Sequence, residues 1–179
     1  MFRRIIDATL LKSSLYREVA ANRRYTFEAI IIVIIIALIT ASNYVVNVTR
    51  PLISAFIAQM INSIVFAWLV WSIIAFGSGI ILGGRGKMNG MLRSMGYANS
   101  PRFLAFFEFI PGVSVIALLA AWVLSIGAAI VAIRETMELT TIKAILACIL
   151  GLLFYALTSW IISTLLVGNN EMMHLLFGI

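Results

Sequence analysis

The stretch from Gly90 to Gly112, G-M-L-R-S-M-G-Y-A-N-S-P-R-F-L-A-F-F-E-F-I-P-G, is where a basic loop turns into membrane. It contains two of the three prolines, Pro101 and Pro111, and it places Glu108 inside an apolar run. An ionised carboxylate costs several kcal/mol in lipid, so Glu108 should be protonated, face other helices or lie at the membrane interface. Glu108 is therefore the first candidate for a functional residue.

The composition of the chain is that of an integral membrane protein. Of its 179 residues, 63% are hydrophobic and 11% are charged, and the mean hydropathy is +1.08. A soluble domain of this size cannot bury so much apolar surface in one core. The net charge of +6 comes from cations that flank the apolar runs. Because this is the positive-inside pattern of membrane proteins, it predicts no nucleic acid partner.

The chain has one cysteine, Cys148, in its last apolar run, and one histidine, His174, in its tail. Within one chain this excludes a disulfide scaffold and a metal site built from His and Cys side chains. We therefore expect no metal and no other cofactor. No constellation of His, Asp or Cys accompanies a nucleophile, so we also expect no enzymatic activity.

The apolar runs predict an all-α integral membrane protein, a bundle of about five membrane helices. The predicted segments are residues 29–46, 56–82, 101–110, 113–133 and 142–167, with the third short and broken at Pro111 and Gly112. The first of them is just long enough for a hydrocarbon core of roughly 30 Å, at about 1.5 Å per residue. Residues 1–28 form a cytoplasmic or interfacial segment, and residues 168–179 form a C-terminal tail.

The N-terminal segment is too polar to cross a bilayer. On a helical wheel, Phe2, Ile5 and Ile6 gather on one side, opposite the first two arginines. This pattern predicts a modestly amphipathic helix that lies on the membrane surface. A solvated basic tail is the alternative, because Leu10 and Leu11 fall off the apolar face.

The cations of the loops decide between four and five crossings. If residues 101–133 cross once, ten cations lie inside and three lie outside. If the short segment crosses separately, Arg134 and Lys143 join the inside set and Arg50 alone stays outside. The positive-inside rule favours this second arrangement, with the N-terminus in the cytoplasm and the C-terminus outside. The short third segment must then be shielded by neighbouring helices or lie where the bilayer thins.

Glycine and tryptophan residues are predicted to pack the helices together. Trp68 and Trp71 are three residues apart, hence on one helical face. Gly79 and Gly83 form a small-xxx-small pair that lets another helix approach closely. Trp122 lies in the middle of a span, where packing against other helices is expected.

The loop from Gly83 to Ser100 carries Arg85, Lys87 and Arg93 and no acid, so it belongs in the cytoplasm. These three cations are predicted to orient the protein, and anionic lipid headgroups would be attracted to them.

Four further residues join Glu108 as candidate intramembrane site residues. Tyr97 and Pro101 are either ligand contacts or the capped start of a helix at the interface. Pro111 and Gly112 break the apolar run at the end of the third predicted segment.

Short motifs along the chain resemble the Yip domain, the family of Ypt/Rab-interacting proteins, in its short prokaryotic form. They are Gly96-Tyr97-Ala98 before Pro101, Ile110-Pro111-Gly112, Trp122, and Arg134-Glu135 ahead of Thr140-Thr141 and Lys143-Ala144, with Leu15-Tyr16-Arg17-Glu18 before the first span. The resemblance covers nearly the whole chain. It implies a bundle of about five membrane helices in the cytoplasmic membrane of a prokaryote.

Eukaryotic members of that family bind Rab GTPases and shape or sort membrane through a long acidic cytosolic N-terminal region. This sequence shows no such region, so we do not expect a Rab-type GTPase as its partner.

The predicted function is a non-enzymatic scaffold that binds the lipid bilayer and other membrane proteins, or associates with itself. Many small and aromatic packing residues and few ionisable ones favour this function. The alternative is a small oligomeric conduit or transporter of ions or solutes that uses Glu108, with Asn43, Asn47, Gln59 and Asn62 as its polar neighbours. For Glu108 itself, two interpretations stay open. It is either a carboxyl near the interface that reaches headgroups or Arg102, or a functional intramembrane acid.

Overall fold

The structure is a computed structural model, and it describes residues 1–46, 52–110 and 112–166. Asn47, Pro111 and the predicted tail 168–179 lie outside the described residues. In chain order the main elements are α1 (Phe2–Thr9), α2 (Ser13–Ala21), α3 (Thr26–Val46), α4 (Leu52–Ile61), a π-helical segment (Asn62–Val70), α5 (Trp71–Ile81), α6 (Met88–Ala98), a 3₁₀ helix (Ser100–Phe109), α7 (Ser114–Met137) and α8 (Thr141–Leu166).

Every one of these elements is helical, which confirms the predicted all-α fold. Among the described residues, three helices are long and apolar enough to cross a membrane, namely Arg23–Val45, Ile53–Ile81 and Ser114–Met137. A shorter apolar helix, Thr141–Phe154, follows them. The chain therefore has the helices of a membrane bundle, as its composition predicts.

One hydrophobic core joins the N-terminal helices to the membrane helices. Tyr16 and Val19 of α2 are fully buried, and they belong to the same core as Met95 of α6. Phe2 and Ile6, on the apolar side predicted to lie on the membrane, point away from the bundle and are 77% and 44% exposed. The helices α1 and α2 therefore pack against the membrane helices.

The second half of the predicted basic loop is not a loop, because it forms the buried helix α6. Met91 and Tyr97 are fully buried there. Gly96 lets the helix approach α3 closely, since a Cβ atom at this position would lie 2.9 Å from the Cβ of Ala29. Hydropathy alone assigns such a polar stretch to a loop, whereas packing against α2 and α3 buries it.

The short third segment is the 3₁₀ helix, and it runs alongside α3. Just before it, Tyr97 bonds Glu28 near the start of α3. Near its end, Glu108 bonds Asn43, which lies about 22 Å further along α3 at about 1.5 Å per residue. The chain turns at Gly112, whose φ of +86° suits glycine, and α7 then returns to α6. The 3₁₀ helix and α7 are thus two segments joined by a turn, and the five-segment path across the membrane stays a prediction.

Gly79 provides the close approach between α5 and α7. A Cβ atom at Gly79 would lie 2.9 Å from both Cε and Cγ of Met137. Gly83 lies beyond the end of α5 with a φ of +86°, so it makes a turn and does not form the predicted pair with Gly79. The amide of Arg85 then donates to the carbonyl oxygen of Met137 at 3.1 Å and holds this turn against α7.

The three predicted packing tryptophans differ in their surroundings. Trp68 and Trp71 both pack against the core. The Trp68 indole N–H donates to the carbonyl oxygen of Leu92 at 2.9 Å, and a Cβ atom on Gly151 of α8 would lie 3.4 Å from the Trp71 ring. Trp122 is instead 66% exposed, because α7 turns this side away from the other helices.

The Gly79 contact can be tested within one helix. We expect Gly79→Leu to lower the free energy of unfolding by about 1–3 kcal/mol, because the added side chain overlaps Met137. Gly77→Leu is the matched control, since nothing lies within 4 Å of a Cβ atom at Gly77, and its melting temperature should stay close to that of the parent protein. Thermal unfolding in detergent, followed by circular dichroism, measures both. Equal melting temperatures for the two variants would contradict the close approach.

Candidate functional site

At one end of the bundle, α1, α2 and α6 meet the first turn of α3 and the last turn of α7; we call this the polar end. Its centre is Glu28, whose carboxylate accepts from Arg4 Nε at 3.0 Å and from the Tyr97 hydroxyl at 2.6 Å. Tyr97 is fully buried. One carboxylate therefore joins α1, α3 and α6.

The donors of this cluster stay protonated. Burial, together with the Glu28 carboxylate, raises the pKa of the Tyr97 hydroxyl above its ordinary value. The hydrogen bond to Glu28 is the main reason why the pKa of the Arg4 guanidinium also lies above its ordinary value. Both side chains thus remain donors throughout the physiological pH range. This is the behaviour of a structural link.

Tyr25 adds a second tie at the polar end. The guanidinium carbons of Arg4 and Arg24 lie 5.0 Å and 4.6 Å from its ring centroid, within cation–π range. The Tyr25 hydroxyl donates to Glu18, and this hydrogen bond is the main cause of the lowered pKa of the Glu18 carboxyl. Glu18 lies in α2, so Tyr25 holds α2 to the start of α3.

Arg93 of α6 closes the C-terminal end of α2. Its Nε donates to the carbonyl oxygen of Val19 at 2.9 Å, and its terminal nitrogen donates to the carbonyl oxygen of Ala20. Carbonyls in the last turn of a helix lack partners within the helix, and the helix dipole there favours a cation. Arg93 is 6% exposed. Burial lowers its pKa, yet an arginine stays charged at neutral pH.

Of the three cations predicted to orient the loop, Arg85 and Lys87 are exposed at the polar end. Arg93 cannot reach headgroups in the same way because α2 covers it. Sequence reasoning missed this role, although the signal was present. Gly90, Arg93 and Tyr97 recur at i, i+3 and i+7, the spacing of one helix face.

Glu135, near the end of α7, makes the third tie. Its Oε2 accepts from Arg17 Nε and a terminal nitrogen at 3.0 Å and 2.8 Å, and its Oε1 accepts from Arg134 at 3.0 Å and 2.8 Å. The Glu135 side chain is 7% exposed and that of Arg17 is 77% exposed, so the carboxylate lies inside and Arg17 reaches it from outside. Next to it, the Thr136 hydroxyl donates to Ser94 Oγ at 2.8 Å and joins α7 to α6.

Away from the polar end, Glu108 is paired with an amide. Asn43 Nδ2 donates to Glu108 Oε2 at 3.0 Å and to the carbonyl oxygen of Ala105 at 2.8 Å. Asn43 is 8% exposed, and Glu108 is half-buried. Of the polar residues grouped with Glu108 from the sequence, the structure brings Asn43 to it, whereas Gln59 and Asn62 do not line the cleft beside it.

That cleft has a volume of about 330 Å³, within the usual range of ligand pockets. Its wall is mostly apolar, with side chains from α3, the π-helical segment, α5, α6, the 3₁₀ helix, α7 and α8. The polar residues that line it are Thr40, Asn99, Arg102, Glu108 and Ser125. The arrangement can hold an apolar or amphiphilic group beside a few polar ones.

The remaining predicted site residues have structural positions. Pro101 is fully buried at the start of the 3₁₀ helix. The first N–H groups of a helix have no partner within it, so the N–H that proline lacks costs no hydrogen bond here. Gly112 is exposed at the turn, and Pro111 lies outside the described residues. In the described part of the chain, no group of three or more His, Cys, Asp or Glu side chains is placed to hold a metal ion.

A family model described as the Yip1 domain matches residues 10–161. No curated protein and no solved structure matches the chain. The matched range begins just before α2 and ends within α8, so it contains the cleft and most of the polar end.

The role of Arg93 can be separated from that of a loop cation. We expect Arg93→Gln to expose residues 1–22 to proteolysis and to faster amide hydrogen exchange, because the last carbonyls of α2 lose a charged donor worth about 1.5–3 kcal/mol. Arg85→Gln removes the same charge from an exposed position and is the matched control. Equal proteolysis and equal hydrogen exchange of residues 1–22 in the two variants would show that Arg93 does not hold α2.

Proposed function

The chain belongs to the Yip1 domain family, and we propose on that basis that it is a non-enzymatic membrane scaffold. It is a membrane protein with a helical bundle. The proposed role is to bind other membrane proteins, or further copies of itself, and to organise them within the bilayer.

The observation that carries this proposal is the use of charged side chains as ties between helices. Glu28 bonds Arg4 and Tyr97, Arg93 bonds the carbonyls of α2, and Glu135 bonds Arg17. Charged side chains whose partners lie on neighbouring helices fix the positions of those helices. The polar end therefore supports a rigid platform.

The outer wall of the bundle supports a partner that is itself in the membrane. Large apolar side chains are exposed along α7, among them Ile116, Leu119, Trp122 and Val123 at 60–69%. Lipid tails cover such a surface, and another membrane helix packs on it equally well. The aromatic ring of Trp122 offers the largest contact area of this group.

A conduit built around Glu108 is the second candidate. The observation in its favour is the cleft, where a half-buried carboxylate lies beside Asn43 in an apolar wall. Ionisable groups inside membrane bundles commonly mark ion or proton pathways. One chain of this size would then form its pathway in an oligomer.

We further propose that the polar end faces the cytoplasm, in the cytoplasmic membrane of a prokaryote. Single cysteines in a Cys148→Ala background test this orientation. Lys87→Cys and Glu138→Cys, both exposed at the polar end, should react with an impermeant maleimide from the cytoplasmic side. Val113→Cys, 42% exposed at the opposite turn, should react from outside. Labelling of Lys87→Cys and Glu138→Cys from opposite sides would establish a four-crossing path and overturn the proposed orientation.

The Glu108→Gln variant separates the scaffold from the conduit. An amide can replace the hydrogen bond of a structural carboxyl but cannot carry a proton or bind a cation in its place. For a scaffold, liposomes with the wild-type protein show no proton or ion flux, and Glu108→Gln keeps the oligomeric state. Glu138→Gln, an exposed acid far from the cleft, is the control. Wild-type flux that Glu108→Gln abolishes and Glu138→Gln leaves intact would refute the scaffold in favour of the conduit.

A further inference from the structure

The 3₁₀ geometry places Arg102, Ala105 and Glu108 in one row on the wall of the cleft. Side chains at i and i+3 eclipse one another in a 3₁₀ helix, and all three of these residues line the cleft. In an α-helix, Arg102 and Glu108 would lie on different faces, because six residues do not complete whole turns of 3.6. The row has a cation at one end, a methyl group in the middle and a carboxylate at the other end.

The rest of the cleft is shaped by small side chains. Ala98, Ala105, Ala121 and Ala129 all line it and are 4–7% exposed. Alanine at such positions leaves room beside the backbone, which is why neighbouring helices can pack closely and still keep a groove. The groove is therefore mostly apolar and built into the helix faces.

The cleft is open toward the lipid. Leu118, Trp122 and Leu152 form part of its wall and are 45%, 66% and 44% exposed. They belong to the outer faces of α7 and α8, where acyl chains lie in a membrane. A ligand that enters here comes from the bilayer and needs an apolar portion.

We propose that this cleft binds a phospholipid, with its phosphate at Arg102 and one acyl chain along Ala105 and the alanines of α7. Arg102 is the one cation among the described residues that line the cleft. A guanidinium pairs with phosphate through two parallel hydrogen bonds. Arg102 lies near the start of the 3₁₀ helix, toward the polar end, where lipid headgroups lie.

Glu108 fixes the direction of the lipid. At about 2.0 Å per residue, its backbone lies about 12 Å from that of Arg102 along the 3₁₀ helix. A phosphate at the Glu108 end would face a carboxylate and no cation, whereas the Arg102 end attracts it. The headgroup therefore points to the polar end and the chain points away. This inference stands independently of the scaffold role, since the cleft can hold a lipid whether or not a protein partner is recruited.

The experiment uses the full chain in liposomes that contain phosphatidylglycerol with a photoactivatable diazirine on one acyl chain. After irradiation, mass spectrometry locates the labelled residues. We expect labels on cleft-lining residues of α7 and α8, and an about tenfold loss of this labelling in Arg102→Gln, because the charge that pairs with the phosphate is removed. Ala121→Leu, which fills the groove, should lose the label as well. Ala120→Leu adds the same side chain to α7 outside the cleft and should keep it.

Several results would overturn the proposal. A diacylglycerol probe without phosphate that labels the cleft as strongly, or undiminished labelling in Arg102→Gln, would remove phosphate recognition. Labels confined to the outer faces of α7 and α8, unchanged in Ala121→Leu, would show ordinary boundary lipid. Irradiation that links two copies of the chain through cleft residues would show that a second copy fills the cleft. Melting temperatures confirm that each variant is folded. If Arg102→Gln does not fold, Ala121→Leu decides whether the groove is occupied and the diacylglycerol probe decides whether phosphate is recognised.

Discussion

The carboxylate of Glu28 is the interaction on which the rest of the bundle depends. It lies at the start of the first membrane helix and takes hydrogen bonds from Arg4 of α1 and Tyr97 of α6. Polar groups at the edge of a bilayer core must find partners within the protein, because lipid offers none. This carboxylate ties α6 to the start of α3, and the 3₁₀ helix begins where α6 ends. Residues of α6 and of the 3₁₀ helix line the cleft, so the positions of these two helices also determine its shape.

The parts of the fold that could be predicted from the sequence are those that depend on apolar length. The membrane helices and the break before Gly112 follow from the width of the bilayer and the limits of proline and glycine. The helix α6 could not be predicted in this way, because its burial depends on α2 and α3, which contribute nothing to its own hydropathy. The same holds for Gly83, whose turn is fixed by Arg85 and Met137 and not by its spacing from Gly79.

Only part of the candidate site could be predicted from the sequence, because the rest depends on contacts between distant segments. Glu108 was conspicuous because an acid in an apolar run is costly, but its partner Asn43 comes from a helix far away in the sequence. From the sequence, Arg102 enters only as a cation that a Glu108 carboxyl near the interface could reach, and not as part of a cleft. The 3₁₀ winding alone brings the two side chains to one face. Local backbone geometry, more than composition, therefore decides what the cleft can bind.

The 3₁₀ helix also has a mechanical consequence for the surrounding membrane. Its ten residues span about 20 Å, against roughly 30 Å of hydrocarbon, and its side chains Phe106 and Phe107 are 60% and 44% exposed. Lipids beside this wall must shorten, at a cost of a fraction of a kcal/mol for each ångström of mismatch. Two molecules that place their 3₁₀ helices side by side share one thinned patch of bilayer, whereas two separate molecules need one patch each. Such a mismatch would favour the proposed self-association of the protein without any direct contact between side chains.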